Sequence, residues 1–382
     1  MLDFDLTTEQ KTLVEETKRF TREKIIPVAG EADKKHEFPM DVFKEAWELG
    51  FVGPTIPEEY GGAGMTEVDN VLLTEELAFG CTGIQTSMTA NTLAATPILI
   101  AGNDEQKKKY LGLLTSEPVF ASYAITESAA GSDAAGIQTR VRKDGNDYII
   151  NGEKIYITNG AWARWYVVFA TVDPALRHKG IMAFVVDRDA PGVSVGKTED
   201  KLGQRASNTA VINFEDVRVT SANLLAEEGH GFKLAMQTFD RTRPDIGAGA
   251  CGIMRRALEE SIAYALERKT FGVPIAEHQM VQAMIAEMGI KYEATWLLVW
   301  KAAWQIDQGG RNSLVASYSK AFGADSAMQV ATDAVQVFGG NGYITEYPVE
   351  KLMRDAKILQ IYEGTSQIQR MVIAKNLFAG VR

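Results

Sequence analysis

The sequence predicts an α+β protein in three parts: an N-terminal α-helical domain over residues 1–120, a middle antiparallel β-barrel-like domain over 121–230 and a C-terminal four-helix bundle over 231–382. Three observations support this fold class. Apolar residues recur at helical spacing in the first third of the chain, and short strand-like runs separated by turns fill the middle. Long helical patterns joined by a short loop follow Gly231.

Length and composition are those of an ordinary globular protein. The chain has 382 residues, 46% of them hydrophobic and 24% charged, and at about 150 residues per domain it predicts two or three domains. Forty basic and 50 acidic residues give a net charge of −10, which argues against nucleic acid as a partner. Two cysteines, Cys81 and Cys251, are too few for a disulfide framework and favour reduced thiols.

The N-terminus and the apolar runs predict a cytoplasmic protein. The segment beginning at Met1 lacks the basic and apolar stretches of a secretory signal. No apolar run approaches the roughly 18 residues of a membrane-spanning helix, and the best stretch, 296–304, is interrupted by Lys301. We therefore expect no membrane association.

Local signals define the helices of the first domain. The residues from Thr7 to Gln10 form a capping-box pattern, which predicts a helix start. Apolar residues from Phe43 onward predict a short helix that ends at Gly50. A further helix is expected over 69–79.

Strand signals begin near residue 120. The runs 148–150 and 155–158 flank Asn151-Gly152, and this pattern predicts a β-hairpin with its turn at that dipeptide. Four more strands are expected, over 165–172, 180–186, 192–195 and 209–219.

The last domain is predicted to be helical throughout. Long helices are expected over 277–308 and 312–337, with Gly309-Gly310 between them. The stretch from Gly247 to Gly252 matches the dinucleotide pattern G-x-G-x-x-G, but no strand precedes it. We interpret its small residues as positions of close helix packing.

Other catalytic patterns are weak. The four histidines share no metal-ligand spacing, so no metal site is predicted, and neither a P-loop nor a serine nucleophile motif occurs. Asn91 and Thr92 are candidates for a pocket wall, and an ordinary helix surface explains them equally well.

Four segments carry side chains suited to binding or chemistry: 123–133, 268–272, 336–343 and 361–367. Hydroxyls, arginine and glycine-rich backbone pair well with phosphate oxygens, although simple helix ends are an alternative explanation. Glu363 stands beside Tyr362 and before Gly364. It is either a general base, with a pKa raised by apolar surroundings, or a carboxylate placed favourably at the start of the final helix.

Taken together, these motifs resemble the acyl-CoA dehydrogenase family, most closely its medium-chain members. The resemblance rests on Tyr123-Ala-Ile-Thr-Glu127, on Gln336-Val-Phe-Gly-Gly-Asn-Gly-Tyr343 and on Ile361-Tyr-Glu-Gly-Thr-Ser-Gln367, and it extends over essentially the whole chain. It implies non-covalently bound FAD, a homotetramer arranged as a dimer of dimers, and electron-transfer flavoprotein as electron acceptor. The implied reaction converts a short- to medium-chain acyl-CoA into the trans-2-enoyl-CoA in β-oxidation or a related pathway.

The resemblance also implies roles for individual residues. Glu363 would abstract the α proton while the β hydride passes to FAD N5, and the N–H of Glu363 would help to polarise the thioester carbonyl. Substrate or its CoA moiety would meet Ser132, Asp240, Arg243 and Gly364. FAD would contact a larger set, in part from a neighbouring subunit: Tyr123, Ile125, Thr126, Ser132, Tyr156, Ile157, Thr158, Arg268, Thr270, Phe271, His278, Gln279, Gln336, Gly339, Gly340, Thr365 and Gln367.

Two departures from the family pattern concern the site. Tyr156 stands where medium-chain members usually carry tryptophan. Asp245 stands near the acyl pocket where relatives have an apolar residue. If it faces the cavity, a plain fatty chain would fit poorly, because an unpaired buried carboxylate is costly; the alternative, which we favour, is that it faces solvent or pairs with an arginine. Thr242 occupies the position at which some branches carry the base, and since it cannot act as one, the assignment stays with Glu363.

The fold also leaves alternative functions open. An alicyclic or branched acyl-CoA dehydrogenase, an acyl-CoA oxidase and an enoyl-CoA reductase are alternatives within the fold. A flavin-holding binding module without catalysis is the alternative from another class, against which the acidic charge and Glu363 argue.

Overall fold

The computed structural model describes residues 4–380, so the outermost residues of the two predicted terminal domains, 1–3 and 381–382, lie outside it. The first part of the chain is helical, as expected. Two five-residue π-helical segments, Thr21–Ile25 and Lys107–Leu111, interrupt it. Its α-helices are α1 (Thr8–Phe20), α2 (Ile26–Lys35), α3 (Met40–Glu48), α4 (Glu67–Gly80), α5 (Thr82–Ala101), α6 (Asp104–Gln106) and α7 (Gly112–Ser116).

The predicted capping box at the start of α1 is confirmed. The Thr7 side chain accepts a hydrogen bond from the Gln10 N–H, and the Gln10 side chain accepts one from the Thr7 N–H. Thr66 and Asp69 form the same arrangement at the start of α4. These reciprocal bonds satisfy backbone donors that a helix start otherwise leaves free.

One eight-stranded sheet forms the middle of the chain. The hydrogen-bonded order is β6-β7-β3-β2-β4-β5-β8, with β1 added beside β4. Buried aromatic residues such as Trp165, Tyr166 and Phe184 fill its two faces. The strands are β1 (Phe120–Ala124), β2 (Arg140–Asp144), β3 (Asp147–Thr158), β4 (Ala163–Thr171), β5 (Ile181–Asp187), β6 (Val193–Thr198), β7 (Thr209–Thr220) and β8 (Leu224–Leu225).

The predicted hairpin at Asn151-Gly152 is wrong. Both flanking runs belong to the single strand β3, which pairs along its length with β7. The register shifts at Gly152, whose φ of +152° marks a bulge, and Asn151 exchanges two hydrogen bonds with Asp216 of β7. The hairpin turn lies instead at residues 145–146, between β2 and β3.

The sheet is mixed, whereas the sequence predicted antiparallel strands. Strand β1 runs parallel to β4, from the pair Phe120↔Ala163 to Ala124↔Val168. Because β1 follows the helical domain and enters the sheet beside β4, its C-terminal end delivers the loop after Ala124 to one edge of the sheet. This loop includes the first of the candidate site segments.

The last part of the chain is helical again and confirms the predicted long helices. Helices α8, α9 and α10 pack against one another, and α4 and α5 of the first domain pack on α8. Between α8 and α9 lies a small hairpin of β9 (Lys269–Thr270) and β10 (Val273–Pro274). The helices are α8 (Gly231–Glu267), α9 (Gln279–Asp307), α10 (Ser313–Phe338), α11 (Val349–Ala356) and α12 (Ser366–Ala379).

The glycine pattern 247–252 lies inside α8, which confirms its interpretation as close helix packing. A Cβ atom built on Gly247 would lie 2.6 Å from Cγ2 of Val299 in α9, and one on Gly252 would lie 2.6 Å from the Glu75 carbonyl oxygen in α4. Only glycine allows these helices to approach so closely. Cys251 between them is buried and unpaired, as is Cys81.

Two further features concern membrane-spanning helices and metal-binding groups. Across residues 4–380, no helix combines the length and apolar character needed to cross a membrane. Over the same residues, His, Cys, Asp and Glu side chains form no group of three or more that could hold a metal ion.

Candidate active site

Glu363 lies in a strained turn just before α12. Its φ is +53°, in the left-handed region that side chains other than glycine rarely adopt, and Gly364 follows with a φ of +88°. The Glu363 side chain points to α8, where Oε2 accepts a hydrogen bond of 2.9 Å from the hydroxyl of Thr242. Backbone strain of this kind is concentrated at functional sites, because the surrounding structure must hold it in place.

Three donors hold the carbonyl groups of this turn. Lys320 of α10 donates from Nζ to the Gly364 oxygen at 2.7 Å. Gln369 of α12 donates from Nε2 to the same oxygen at 2.9 Å and to the Glu363 oxygen at 3.1 Å. Nε of Arg243 lies 3.5 Å from the Glu363 oxygen. The backbone of the candidate base is therefore fixed from three helices.

Burial raises the pKa of Glu363 to about 7, while the Thr242 hydrogen bond and the charges of Arg243 and Lys320 act in the opposite direction. A carboxylate with a pKa in this range takes a proton efficiently near neutral pH. The same surroundings lower the pKa of Lys320 to about 8, mainly through burial. The raised pKa of Glu363 is compatible with the predicted role of general base.

The alternative role of Glu363 as a helix cap is not the one observed. Thr365 is the N-cap of α12, and its hydroxyl oxygen accepts the Ile368 N–H at 3.2 Å. Glu363 lies two residues earlier and directs its carboxylate to Thr242 instead. Thr365 is half-buried and Gln367 is exposed.

Asp240 and Arg243 form a buried ion pair on α8. Nη1 of Arg243 lies 2.9 Å from Oδ1 of Asp240, and the Arg243 side chain is only 5% exposed. Asp240 also accepts hydrogen bonds from Asn312, at 2.7 Å to its carbonyl oxygen, and from the Ser313 hydroxyl. The pair thus ties α8 to the start of α10 beside Glu363, and its predicted contact with CoA stays a prediction.

A second group of predicted residues lies at one edge of the sheet. The loop after β1 is held to β3 by hydrogen bonds from Lys154 Nζ to the Ile125 oxygen, 3.0 Å, and from the Ile155 N–H to the Thr126 oxygen, 2.9 Å. This places the loop beside the end of β3, which carries Tyr156, Ile157 and Thr158. Ser132 lies farther along the same loop and is exposed.

Tyr123 connects this edge with Glu363. Its ring packs on Phe239 of α8 with centroids 5.5 Å apart, and the Glu363 charge helps burial to hold the pKa of Tyr123 well above its usual value. Its buried hydroxyl group finds no hydrogen-bond partner within residues 4–380. The candidate base and the sheet edge therefore border one site.

The remaining predicted residues lie elsewhere. Arg268 ends α8 about seven turns from Arg243, roughly 37 Å at 1.5 Å per residue. The end of α10 reaches the same end of the bundle, where Asn341 donates to Tyr264 at 2.9 Å. One chain therefore does not bring this second set to Glu363: Arg268, Thr270, Phe271, His278, Gln279, Gln336, Gly339 and Gly340.

The expectation for Asp245 is wrong. Its side chain neither faces solvent nor pairs with an arginine: it is buried, accepts a hydrogen bond of 2.8 Å from Asn70 and is hydrogen-bonded to Glu67. Asp245, Thr242 and Thr92 line one cavity, the first two from α8 and Thr92 from α5. Thr92 is therefore a pocket residue, whereas Asn91 binds the backbone of Val119 and Ala121.

Sequence reasoning missed Lys320, Gln369 and the partners of Asp245. A signal for Lys320 was present, because the residues four positions before and after it, Ala316 and Ala324, are small and lie on the buried face of α10. A lysine on such a face must find a partner inside the protein. Gln369 and Asn70 carry no comparable signal.

Comparison with known proteins accounts for this arrangement. Models of the acyl-CoA dehydrogenase N-terminal, middle and C-terminal domains match residues 7–118, 122–217 and 229–378. A probable medium-chain specific acyl-CoA dehydrogenase 2, mitochondrial, of Caenorhabditis briggsae is 48% identical over 100% of this chain and 93% of its own. Cyclohexane-1-carbonyl-CoA dehydrogenase of Geobacter metallireducens is 42% identical, covering 98% of both chains. The solved butyryl-CoA dehydrogenase of Megasphaera elsdenii superposes with a TM-score of 0.96 at 39% identity, covering 99% of this chain and 100% of its own.

A helical domain, a sheet domain and a second helical domain around the half-buried Glu363 form the framework of a flavin-dependent oxidoreductase. Because all three domain models match in order along the chain, the protein belongs to the acyl-CoA dehydrogenase family, and its cofactor is FAD. The resemblance and the fold class predicted from the sequence are thereby confirmed.

The residues at the sheet edge fit FAD. Tyr156 has a φ of +59° and a 62% exposed side chain, so its ring is presented beyond the sheet and not packed into it. A Cβ on Gly131, in the loop after β1, would meet no atom within 4 Å, which leaves open space beside this backbone. Open backbone and a free aromatic face are what a planar ring with a pyrophosphate arm requires.

Proposed function

We propose that the protein dehydrogenates a short- to medium-chain acyl-CoA to the trans-2-enoyl-CoA, with Glu363 as the base that removes the α proton. The observation that carries this proposal is the Glu363 carboxylate, raised in pKa to about 7 and held at 2.9 Å by Thr242 in a strained turn. FAD, when bound, supplies the acceptor for the hydride that leaves the β carbon. The substrate thus loses one proton to Glu363 and one hydride to the cofactor.

The chain contributes position and charge to this reaction. The α proton of a thioester is weakly acidic, so the carbonyl oxygen must be stabilised as the proton leaves. We assign this role to the N–H of Glu363. Gln369 and Arg243 hold the carbonyl oxygen of the same residue, in the peptide that follows. The buried Arg243 and Lys320 stabilise the Glu363 carboxylate before the proton is taken.

The experiment that tests the proposal is an anaerobic titration of the FAD-loaded protein with acyl-CoAs. Butyryl-, octanoyl-, isobutyryl- and cyclohexane-1-carbonyl-CoA cover linear, branched and alicyclic groups, of which the last appears in the name of one relative. Bleaching of the flavin absorbance by at least one of them is expected, and none on the same timescale in Glu363→Gln, in which flavin reduction is expected to be much slower. Full reduction in that variant would reject Glu363 as the base.

We also propose that two copies of the chain share each FAD, within a homotetramer. The support is the separation of roughly 37 Å along α8 between Arg243, beside the candidate base, and Arg268, which belongs to the second set of predicted FAD residues. Phe271, 97% exposed, and Tyr343, 86% exposed, lie at that end of the bundle, where a second copy would cover them. Light scattering of the FAD-loaded protein is expected to give four chains, and a monomer that retains FAD would contradict the proposal.

Electron-transfer flavoprotein is the proposed electron acceptor, and β-oxidation the proposed setting. The cytoplasmic location also stays a prediction, since the name of the Caenorhabditis relative includes the word mitochondrial. Slow reaction of the reduced protein with oxygen, together with rapid reoxidation by electron-transfer flavoprotein, would separate the dehydrogenase from an oxidase.

A further inference from the structure

A partly open cavity of ≈ 290 Å³ lies near the candidate base and is lined by α4, α5, α8, the end of α9 and the loop residues Thr55, Pro57 and Met65. Thr242 forms part of its wall, and the hydroxyl of Thr242 is hydrogen-bonded to Glu363. A single side chain therefore separates the cavity from the carboxylate. Because the base must reach the α carbon of the thioester, a cavity in this position is placed to receive the acyl group.

The wall of this cavity is unusually polar for an acyl pocket. Glu67 of α4 and Asp245 of α8 both line it and are hydrogen-bonded to each other. Two bonded carboxyl groups share a proton, since both cannot be ionised at such short range. Burial raises the pKa of Glu67 to about 7 and that of Asp245 well above its usual value. Asn70 donates to both, at 3.2 Å and 2.8 Å.

Two further charged side chains, Asp307 and Arg241, lie around the Glu67–Asp245 pair. Asp307 of α9 also lines the cavity, and its two carboxylate oxygens accept the N–H groups of Glu67 and Val68 at 2.7 and 3.0 Å. Arg241 also lines the cavity, is exposed and lowers the pKa of Glu67, but it is one cation among the three acidic side chains of the wall. The cavity therefore has little net positive charge to attract a second carboxylate.

Thr92 of α5, which also lines the cavity, provides a second observation. The hydroxyl of Thr92 on α5 is buried and finds no hydrogen-bond partner within residues 4–380, although the side chain lines the cavity and is only 4% exposed. A buried polar group without a partner is destabilising. A plain hydrocarbon chain would leave Thr92 unpaired and would also remove water from the carboxyl pair.

We propose that this cavity receives the acyl group and selects a short acyl chain whose far end carries a hydroxyl group. The inference rests on the proposed function. A hydroxyl both donates and accepts, so it pairs with the Glu67–Asp245 carboxyl groups whichever oxygen carries the proton, and Thr92 is a further polar residue of the same cavity. The volume lies at the lower end of the range of about 300–1,000 Å³ for ligand pockets, which favours a small acyl group.

The test compares matched substrates on the FAD-loaded protein. The values of kcat/KM are measured for butyryl- and 4-hydroxybutyryl-CoA and for hexanoyl-, 6-hydroxyhexanoyl- and adipoyl-CoA. For the four-carbon pair, the six-carbon pair or both, kcat/KM of the hydroxylated substrate is expected to exceed that of the plain substrate by about tenfold or more. The reason is that a site built to bind a hydroxyl discriminates against a substrate without one. Adipoyl-CoA, which ends in a carboxylate, is expected to be the poorest six-carbon substrate.

Variants connect that preference with the cavity. Asp245→Val is expected to abolish the preference for the hydroxylated chain. Thr92→Val, which removes the unpaired hydroxyl at nearly constant volume, is expected to reduce it even if Asp245→Val does not fold. Thr332→Val, on the exposed surface of α10, is the matched control and should leave the ratio unchanged.

The outcomes separate this inference from the proposed function. If none of these thioesters, nor those in the titration above, reduces the FAD, the proposed function itself fails. Three results would overturn this inference while leaving the proposed dehydrogenase function intact. They are an equal kcat/KM for plain and hydroxylated chains, a preference for adipoyl-CoA, and an unchanged ratio of hydroxylated to plain substrate in both variants.

Discussion

The hydroxyl group of Thr242 donates a 2.9 Å hydrogen bond to Oε2 of Glu363 and links α8 to the turn before α12. The two residues lie 121 positions apart in the sequence. The bond fixes the direction of the carboxylate and favours its ionised form, because it is donated to the charged group.

Replacing Glu363 by glutamine is expected to remove the base while retaining FAD. General base catalysis contributes about 10²–10⁴-fold, so flavin reduction by an acyl-CoA should slow by at least that range. Stopped-flow absorbance at saturating substrate measures the rate, and the flavin spectrum reports cofactor content. Glu346→Gln, on the exposed surface, serves as the control.

Thr242→Val is expected to shift the pH dependence of kcat/KM to higher pH. The Thr242 hydrogen bond lowers the pKa of Glu363, so its loss leaves more of the carboxyl group protonated at pH 7. A bond to a charged group is worth roughly 1.5 kcal/mol, which corresponds to about a tenfold loss at pH 7. Thr242→Ser keeps the donor and should retain the original profile. An unchanged profile in the valine variant would disprove the coupling.

Lys320→Met is expected to shift the same profile upward and to destabilise the fold. The variant loses both the charge that lowers the pKa of Glu363 and the donor to the Gly364 oxygen. Gln369 still donates to that oxygen, so denaturant titration should show a free energy of unfolding lower by about 1.5–3 kcal/mol, the value of one hydrogen bond from a charged donor. Lys357→Met, at an exposed position nearby, should change neither quantity.

Gly364→Ala is expected to impair the turn in two ways. A Cβ would lie 2.7 Å from Nε2 of Gln369, and the φ of +88° is unfavourable for alanine. Gly309→Ala provides the comparison, because Gly309 also has a positive φ, +70°, but open space around it. The Gly309 variant should lose about 1–2 kcal/mol of stability, and the Gly364 variant should lose more. Only the latter should slow turnover, on the order of 100-fold, by displacing the base.

Stability should depend on pH through Glu363. Its pKa is raised from 4.5 to about 7 in the folded protein, so between these values the folded state holds a proton that the unfolded state has released. The free energy of unfolding therefore falls as pH rises from about 4.5 to 7. Glu363→Gln removes this cost and should be more stable than the wild type by on the order of 2 kcal/mol at pH 8, and by much less at pH 5. An equal difference in the free energy of unfolding between Glu363→Gln and the wild type at pH 5 and pH 8 would contradict this prediction.

The sequence predicted those features whose cause is local. Capping boxes, helical periodicity and the packing of small residues in α8 depend on neighbouring positions, and the structure confirms them. Asn151-Gly152 shows the limit of local signals, because the same dipeptide forms a turn or a bulge depending on its partner strand. Here the partner is β7, about 65 residues farther along the chain.

The errors and omissions at the site have a different cause. Asp245 finds its partner Asn70 at a separation of 175 residues, and Lys320 reaches Gly364 across 44. No periodicity in one segment reveals such pairs. Family motifs identified Glu363 and its turn, whereas the polar wall of the cavity lies outside those motifs.

The glycines of α8 have a consequence for anyone who screens this enzyme by random mutagenesis. Gly252 abuts the backbone of α4, the same helix that carries Glu67, and Gly247 abuts α9. A larger side chain at Gly247 or Gly252 would push α8 away from α9 or α4 and distort the cavity lined by Glu67 and Asp245 without touching it. Inactive clones will therefore accumulate at positions that no substrate ever touches, and a map of harmful substitutions will exaggerate the size of the true reaction centre.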